Sequence, residues 1–118
     1  MDEIKRSHVG KRLSEVALYQ GVVYLAGQVA SDPTQDMAGQ TRQVLADVDR
    51  LLGEHHSDKT CILQCLVYIS DMSQFAEMNA VWDAWVVAGR TPPRATVQAQ
   101  LASPQKLIEV VVTAAVRS

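Results

Sequence analysis

The sequence predicts an α+β fold in which a mixed β-sheet carries two helices on one face. Two segments, 36–54 and 73–87, repeat their apolar residues at the spacing of an amphipathic helix. Most other segments alternate apolar with polar residues or form short apolar runs, as strands do. The order is β-β-α-β-α-β-β, and the length of 118 residues predicts a single domain, 1–118.

The N-terminal part is predicted to be a hairpin that follows a loose, polar start. Residues 1–11 are mostly charged or polar and have no apolar run, so we expect no signal peptide there. Residues 13–20 and 22–29 are predicted strands, joined by a short turn at Gln20-Gly21.

The first helix is predicted from Asp36 to Glu54, and four potential metal ligands follow it. These ligands are too loosely spaced to form a recognised metal pattern. Imidazoles near the end of a helix also interact favourably with its dipole, so we expect no metal site. The four residues are His55, His56, Asp58 and Cys61.

The third strand is predicted over residues 60–69 and holds both cysteines on one face. Cys61 and Cys65 would lie ~13 Å apart along a strand, too far for a disulfide. We therefore expect two buried, reduced and unreactive thiols.

The second helix, 73–87, has an apolar stripe that includes two tryptophans. Core packing or a subunit interface explains such a stripe better than a ligand-stacking site. Asn79 lies within the stripe and is its polar exception. The stripe consists of Phe75, Met78, Trp82 and Trp85.

The C-terminal part contains two charged residues in unusual places. Arg94 follows Pro92-Pro93, which fix the start of an extended run, and Glu109 interrupts a nearly apolar run over 107–116. A carboxylate in a buried strand is costly unless it is paired or faces a cavity. The two residues therefore belong either to structural ion pairs or to a functional site.

The spacing of the last two strands bears on whether these charges meet. A turn at 102–106 would pair Leu101 with Leu107 in a hairpin, which separates Arg94 from Glu109 by about 16 Å. Either the strands pair in another register, or a site that uses both residues draws them from two chains.

Composition narrows the classes of partner and compartment. The formal net charge of −2 favours neither nucleic acid nor an anionic membrane as a partner. No apolar run reaches the ~20 residues that span a bilayer. With two cysteines, these features predict a protein of the cytoplasm.

Four segments, in order along the chain, carry patterns that can be compared with a known family. They are VYLAGQV at 23–29, DMSQFAEMN at 71–79, PRATV at 93–97 and LIEV at 107–110. Together they resemble the Rid (YjgF-type) family of enamine/imine deaminases and their relatives, from about Arg12 to Arg117. The resemblance implies a single Rid-like, chorismate-mutase-like domain that assembles into a homotrimer with clefts between subunits. A sheet face left uncovered by the two helices independently predicts an oligomer.

The resemblance also implies a function, the hydrolysis of 2-enamino or 2-imino acids to 2-keto acids and ammonia without a cofactor. Arg94 matches the residue that binds the substrate carboxylate, and a guanidinium suits that role because it binds a carboxylate with two hydrogen bonds. Glu109 matches the acid that positions the attacking water. Backbone groups at Gly27 and Thr96, with Asn79 nearby, complete the implied cleft.

Three positions depart from the deaminase branch of this family. Leu13 stands where a tyrosine is usual, Thr96 where cysteine is frequent, and Ala26 where serine is common. These departures keep two alternatives open, a non-catalytic trimer that binds small carboxylates or a protein partner, and a purely structural trimer.

Overall fold

Two helices pack on one face of a mixed β-sheet, which confirms the predicted α+β fold. The computed structural model describes residues 3–117. The elements are β1 (Lys5–Val9), β2 (Ser14–Tyr19), β3 (Val22–Leu25), β4 (Gln28–Val29), α1 (Met37–Glu54), β5 (Ile62–Ile69), α2 (Phe75–Trp85), β6 (Arg94–Gln98) and β7 (Ile108–Ala115).

The strands form one sheet in the order β1-β2-β3-β7-β5-β6, and β4 also pairs with β7. Strands β5 and β6 are parallel because α2 carries the chain back between them, and the other pairs are antiparallel. The most apolar strand, β7, therefore lies in the middle, and β6 is left at an edge.

The predicted hairpin of the last two strands is wrong. Strand β5 lies between β6 and β7, and residues 99–107 cross over its end instead of forming a tight turn. The physical reason is burial: the inward side chains of β7 are all buried, which a central position allows, whereas β6 alternates polar residues and tolerates an edge.

The prediction of a loose N-terminus is also wrong for residues 5–9, which form the edge strand β1 beside β2. Charged residues are common in edge strands, because their side chains stay in water while the backbone pairs on one side. Two side-chain hydrogen bonds also connect β1 to the end of α1. His8 bonds Glu54 at 2.7 Å, and Ser7 bonds His55 at 2.9 Å.

The third strand begins later than predicted, and its two cysteines do not share a face. Cys61 belongs to a 3-10 turn, Lys59–Cys61, and is partly exposed. An irregularity between Ile62 and Gln64 then turns Leu63 outward, with 51% of its surface exposed. Cys65 is buried in the core, and both thiols are free.

The core lies between the helices and the inner face of the sheet. Helix α1 begins one residue after its predicted start, because Asp36 is its N-cap and its carboxylate accepts a hydrogen bond from the Gly39 N–H at 2.9 Å. Among residues 3–117, neither helix has the length and apolar character needed to cross a bilayer. Buried side chains of the core include Val16, Val23, Met37, Val44, Val48, Leu51, Cys65, Val67, Met78, Val110 and Val112.

Within residues 3–117, no helix covers the other face of the sheet, which is rich in apolar side chains. We call it the open face. Tyr24 and Val97 expose 48% and 46% of their surface there. Half-buried Leu66 and Val111 lie opposite each other on β5 and β7. Such a broad apolar surface is typical of a face that another chain covers.

Candidate functional site

Glu109 lies on the open face of the central strand β7. Its neighbours in sequence, Ile108 and Val110, point into the core and are 1% exposed, so Glu109 points the other way. Within the described range its carboxylate has no hydrogen bond or ion pair. The interpretation of Glu109 as half of a structural ion pair is therefore not supported in the single chain.

Gly27 makes room for the Glu109 carboxylate. The predicted strand over 22–29 is interrupted at Ala26 and Gly27, and β3 and β4 pair with different parts of β7. A Cβ built on Gly27 would lie 2.8 Å from the Glu109 Cδ, and nearer still to Oε2. Glycine is required here by close approach, so two residues predicted for the site are in contact.

The remaining surroundings of Glu109 come from β5 and from the connection after β6. Tyr68 lies directly opposite Glu109 across the β5–β7 pairing. A cavity of about 360 Å³ opens beside the carboxylate. Glu109 is partly exposed and lines this cavity, and access to water is a condition under which a charge within such a strand is tolerated.

Arg94 lies elsewhere, at the start of the edge strand β6. Its Cζ is 4.8 Å from the ring centre of Trp82 and 5.8 Å from that of Phe75. These cation–π contacts hold the guanidinium in place while leaving its N–H groups to bind other partners. Arg94 forms no salt bridge with a carboxylate within residues 3–117.

Three polar side-chain atoms, one on β6 and two near the start of α2, have no hydrogen-bond partner in the described part of the chain. They are Thr96 Oγ1, Asn79 Oδ1 and Gln74 Oε1, and all three are shielded from solvent. Thr96 shares a face of β6 with Arg94, and Gln74 and Asn79 flank Phe75 at the start of α2. A buried polar atom without a partner costs ~1–3 kcal/mol, and a ligand that brings an N–H or O–H group could satisfy such an oxygen.

The five predicted site residues thus form two groups. Arg94 pairs in register with Cys65, which faces the helices, whereas Glu109 pairs with Tyr68 on the open face. The groups lie on opposite faces of the sheet and, with β5 between their strands, at least ~10 Å apart. The last two strands do not form the predicted hairpin, but Arg94 and Glu109 are still separated in the structure. One chain does not bring Arg94 to Glu109.

Sequence reasoning missed several residues around these two groups. Tyr68 could have been found from its polar hydroxyl in an alternating strand, but only the strand order places it opposite Glu109. The stacking of Phe75 and Trp82 on Arg94 depends on how α2 crosses β6, which a single sequence does not reveal. No signal in the sequence distinguished Gln74.

The residues considered as metal ligands do not converge. Within residues 3–117, no three histidine, cysteine or acidic side chains gather in a way that could hold a metal ion. Asp58 instead binds its own loop and the C-terminal segment, with a 2.9 Å ion pair to Arg117. Hydrogen bonding from the Thr60 hydroxyl lowers the pKa of the Asp58 carboxyl.

Comparison with known proteins identifies close relatives over nearly the whole chain. The family model described as Endoribonuclease L-PSP matches residues 4–116. A RutC family protein of Haemophilus ducreyi is 45% identical over 113 residues, which cover 96% of this chain and 97% of that protein. The RutC family protein YoaB of Escherichia coli is 39% identical over 113 residues, which cover 96% and 98%.

A solved structure shows the same fold. The crystal structure of NMB1025, a YjgF family member from Neisseria meningitidis, superposes with a TM-score of 0.95 at 44% identity. The match covers 98% of this chain and 97% of that one.

Proposed function

The chain belongs to the Rid (YjgF/RutC) family, and from that premise we propose that it hydrolyses reactive 2-enamino or 2-imino acids to 2-keto acids and ammonia. The observation that carries the proposal is Arg94, a half-buried guanidinium that is stacked on two aromatic rings and has no carboxylate partner within residues 3–117. A guanidinium held in this way suits a small ligand that brings its own carboxylate.

The second requirement is a group that activates water, and Glu109 of a neighbouring chain meets it in this proposal. Arg94 and Glu109 lie on opposite faces of one chain, so a single cleft that contains both needs two chains. The open face offers the apolar surface on which the chains would pack. We propose a homotrimer with one cleft between each pair of neighbours, in keeping with the cyclic symmetry of most homo-oligomers.

In this cleft the reaction needs no cofactor, because the iminium carbon of the substrate is already electrophilic. Arg94 holds the carboxylate and so fixes where the C=N bond lies. Glu109 accepts a proton from water as the water oxygen bonds to that carbon. It then returns the proton to the nitrogen, the C–N bond breaks, and the remaining hydroxyl loses its proton to give the ketone and ammonium.

The overall charge supports a small carboxylate as substrate over RNA. The description of the family model names an endoribonuclease. Proteins that bind a phosphate backbone present clustered lysines and arginines. This chain instead has a net charge of −2, and its candidate site centres on one arginine, Arg94.

Turnover of a freshly generated imine tests the proposed activity. Iminopropanoate is produced in the cuvette from alanine by an amino-acid oxidase, and semicarbazide traps what remains. The wild type should reduce trapped imine, and Glu109→Gln should fold normally but hydrolyse far more slowly. Equal amounts of trapped imine with and without the wild type would contradict the proposed deaminase function.

One observation favours binding without turnover as the second candidate. Leu13, at the position where the deaminases carry a tyrosine, is 57% exposed and has no hydroxyl to take part in the chemistry. A trimer that binds pyruvate by calorimetry but leaves imine lifetimes unchanged would favour this candidate. Light scattering at micromolar concentration tests whether the protein is a trimer. A stable monomer would contradict both candidate functions, hydrolysis and binding without turnover.

A further inference from the structure

The cavity beside Glu109 provides one wall of the proposed cleft, and most of its lining side chains are apolar or aromatic. In the single chain, before a neighbour packs on the open face, the cavity measures about 360 Å³, the volume of about a dozen water molecules at ~30 Å³ each. Apart from Glu109 and Gln100, its lining is apolar or aromatic. That lining consists of Tyr68, Ala99, Leu101, Ala102 and Val111.

The strand register places this apolar lining within reach of a group bound at Glu109. Tyr68 lies directly across from Glu109, and Val111 is two residues further along the same face of β7. Paired and diagonal neighbours on one sheet face are ~5–8 Å apart. Leu101 comes from the connection that crosses the end of the sheet and forms the outer wall.

The opposite flank of Glu109 is polar. The Ala26 N–H donates to the Glu15 carbonyl at 2.8 Å, which sets the start of β2 beside Gly27. Leu13 lies just before that strand and is 57% exposed. On this flank the Glu15 carboxylate accepts a 3.2 Å hydrogen bond from the Gln28 side-chain amide, so the apolar place for a substrate side chain is the cavity on the other side.

We propose that this site prefers 2-imino acids with an aliphatic or aromatic side chain of about four carbons or more over iminopropanoate. The inference rests on the function proposed above and adds the class of substrate. Arg94 of the neighbouring chain would bind the substrate carboxylate, and Glu109 would lie next to the reacting carbon. The substrate side chain would then occupy the apolar cavity. Each methylene removed from water there favours binding about fourfold.

Two imines tested side by side decide the preference. Leucine and alanine are oxidised in parallel by an amino-acid oxidase, and semicarbazide competes with the protein for each imine. The leucine-derived imine should show a kcat/KM roughly ten- to fifty-fold above that of iminopropanoate. Equal values, or a preference for iminopropanoate, would overturn this inference and leave the deaminase function intact. Acceleration of neither imine would overturn both.

A pair of leucine variants tests whether the cavity is the source of the preference. Leu101→Asn keeps the size of the side chain but makes the cavity wall polar, and should lower the preference by roughly five-fold or more. Leu63→Asn makes the same change at an exposed leucine outside the cavity and should keep the wild-type preference. Equal ratios for the two variants would contradict the cavity as the specificity determinant.

Binding of the products gives a readout that does not depend on turnover or on the oxidase. The wild type should bind 4-methyl-2-oxopentanoate more tightly than pyruvate in calorimetric titration, and Leu101→Asn should narrow the difference. Tighter binding of pyruvate would contradict the proposed preference.

Discussion

Arg94 is the residue on which substrate binding depends most in this account. Phe75 and Trp82 hold its guanidinium, and Thr96, on the same face of β6, has a buried hydroxyl without a partner within residues 3–117. Its position after Pro92-Pro93 made it conspicuous in the sequence, but the aromatic contacts that orient it arise from α2 packing on β6.

Arg94→Ala should abolish measurable imine hydrolysis and the binding of keto-acid products. The loss of a charge-assisted pair is worth roughly 2–5 kcal/mol, or about 30- to several-thousand-fold in affinity. Arg94→Lys should restore little, because one ammonium cannot make two parallel hydrogen bonds to a carboxylate. Calorimetric titration with 2-oxobutanoate measures the affinity of each variant. Wild-type affinity in a correctly assembled Arg94→Ala protein would refute the carboxylate-binding role.

Gly27→Ala should impair catalysis by displacing the Glu109 carboxylate. The added methyl would overlap Glu109 Oε2, so the carboxylate must move, and a displacement of about 1 Å can cost ~100-fold in rate. The matched control is Gly53→Ala in α1, where a Cβ meets no atom within 4 Å. That control should keep full activity and gain ~0.5–1 kcal/mol of stability. Full activity in Gly27→Ala would show that Glu109 does not need its observed position.

The two cysteines should differ in reactivity, contrary to the sequence-based expectation of two buried thiols. Cys61 is partly exposed and should be labelled in the native protein, whereas Cys65 should be labelled only after unfolding. Burial raises the pKa of the Cys65 thiol to about 12 from an ordinary 9.0, against the opposing effect of the Arg94 charge. Mass spectrometry of native protein treated with iodoacetamide identifies the labelled site, and rapid labelling of Cys65 would contradict its burial.

The same pKa shift predicts a pH dependence of stability. The unfolded chain releases the Cys65 proton near pH 9, while the folded chain keeps it up to about pH 12. The thiol's contribution to the free energy of unfolding is therefore present below pH 9 and declines as the pH rises through this window. Cys65→Val has no titratable group at this position, so its free energy of unfolding should decline less as the pH rises from 9 to 12. Denaturation curves recorded at several alkaline pH values measure this decline.

At the level of elements, the helices were predictable and the strand order was not. The apolar stripes gave both helices to within a few residues, and Asp36 marks the start of α1. Strands depend on distant partners, so nothing local in the sequence showed that β5 separates β6 from β7, or that residues 5–9 extend the sheet. The irregularity in β5 reverses the face of Leu63, which a strict alternation of faces does not anticipate.

Gln40 connects α1 to the segment that leads into β7, and its loss should destabilise the fold. Its side chain is fully buried, the two N–H groups of its amide are shared among three backbone carbonyls, and its amide oxygen accepts from one backbone N–H. Gln40→Leu would leave those groups without partners at a cost of roughly 3 kcal/mol or more, measured by urea unfolding. The four groups are the carbonyls of Pro33, Gln35 and Gln105 and the N–H of Leu107.

Gln43→Leu is the matched control in the same helix. The Gln43 amide also bonds backbone groups, but at the surface beside Asp32, where water can replace it. This variant should lose less than about 1 kcal/mol. Equal losses for the two variants would contradict the role given to Gln40.

At the scale of the whole molecule, the open face and the split site call for the same arrangement. The sequence suggested an uncovered apolar face and two charges too far apart to meet, and both features are present in the structure. A single chain leaves Arg94 on the helix side of the sheet and Glu109 on the other. The central claim is that neighbouring chains combine these two groups into one cleft.

Mixing two inactive variants tests this claim most directly. Arg94→Ala and Glu109→Gln are unfolded together and refolded at equal concentration, so that their chains assort at random. In a cyclic trimer with heterologous interfaces, about one interface in four then joins an intact Arg94 to an intact Glu109. The control mixes Arg94→Ala with the double variant Arg94→Ala/Glu109→Gln, which restores no interface. We predict that imine hydrolysis returns to about a quarter of the wild-type rate in the first mixture and not in the control. Activity in the mixture no higher than that of the separate variants would contradict a site shared between chains.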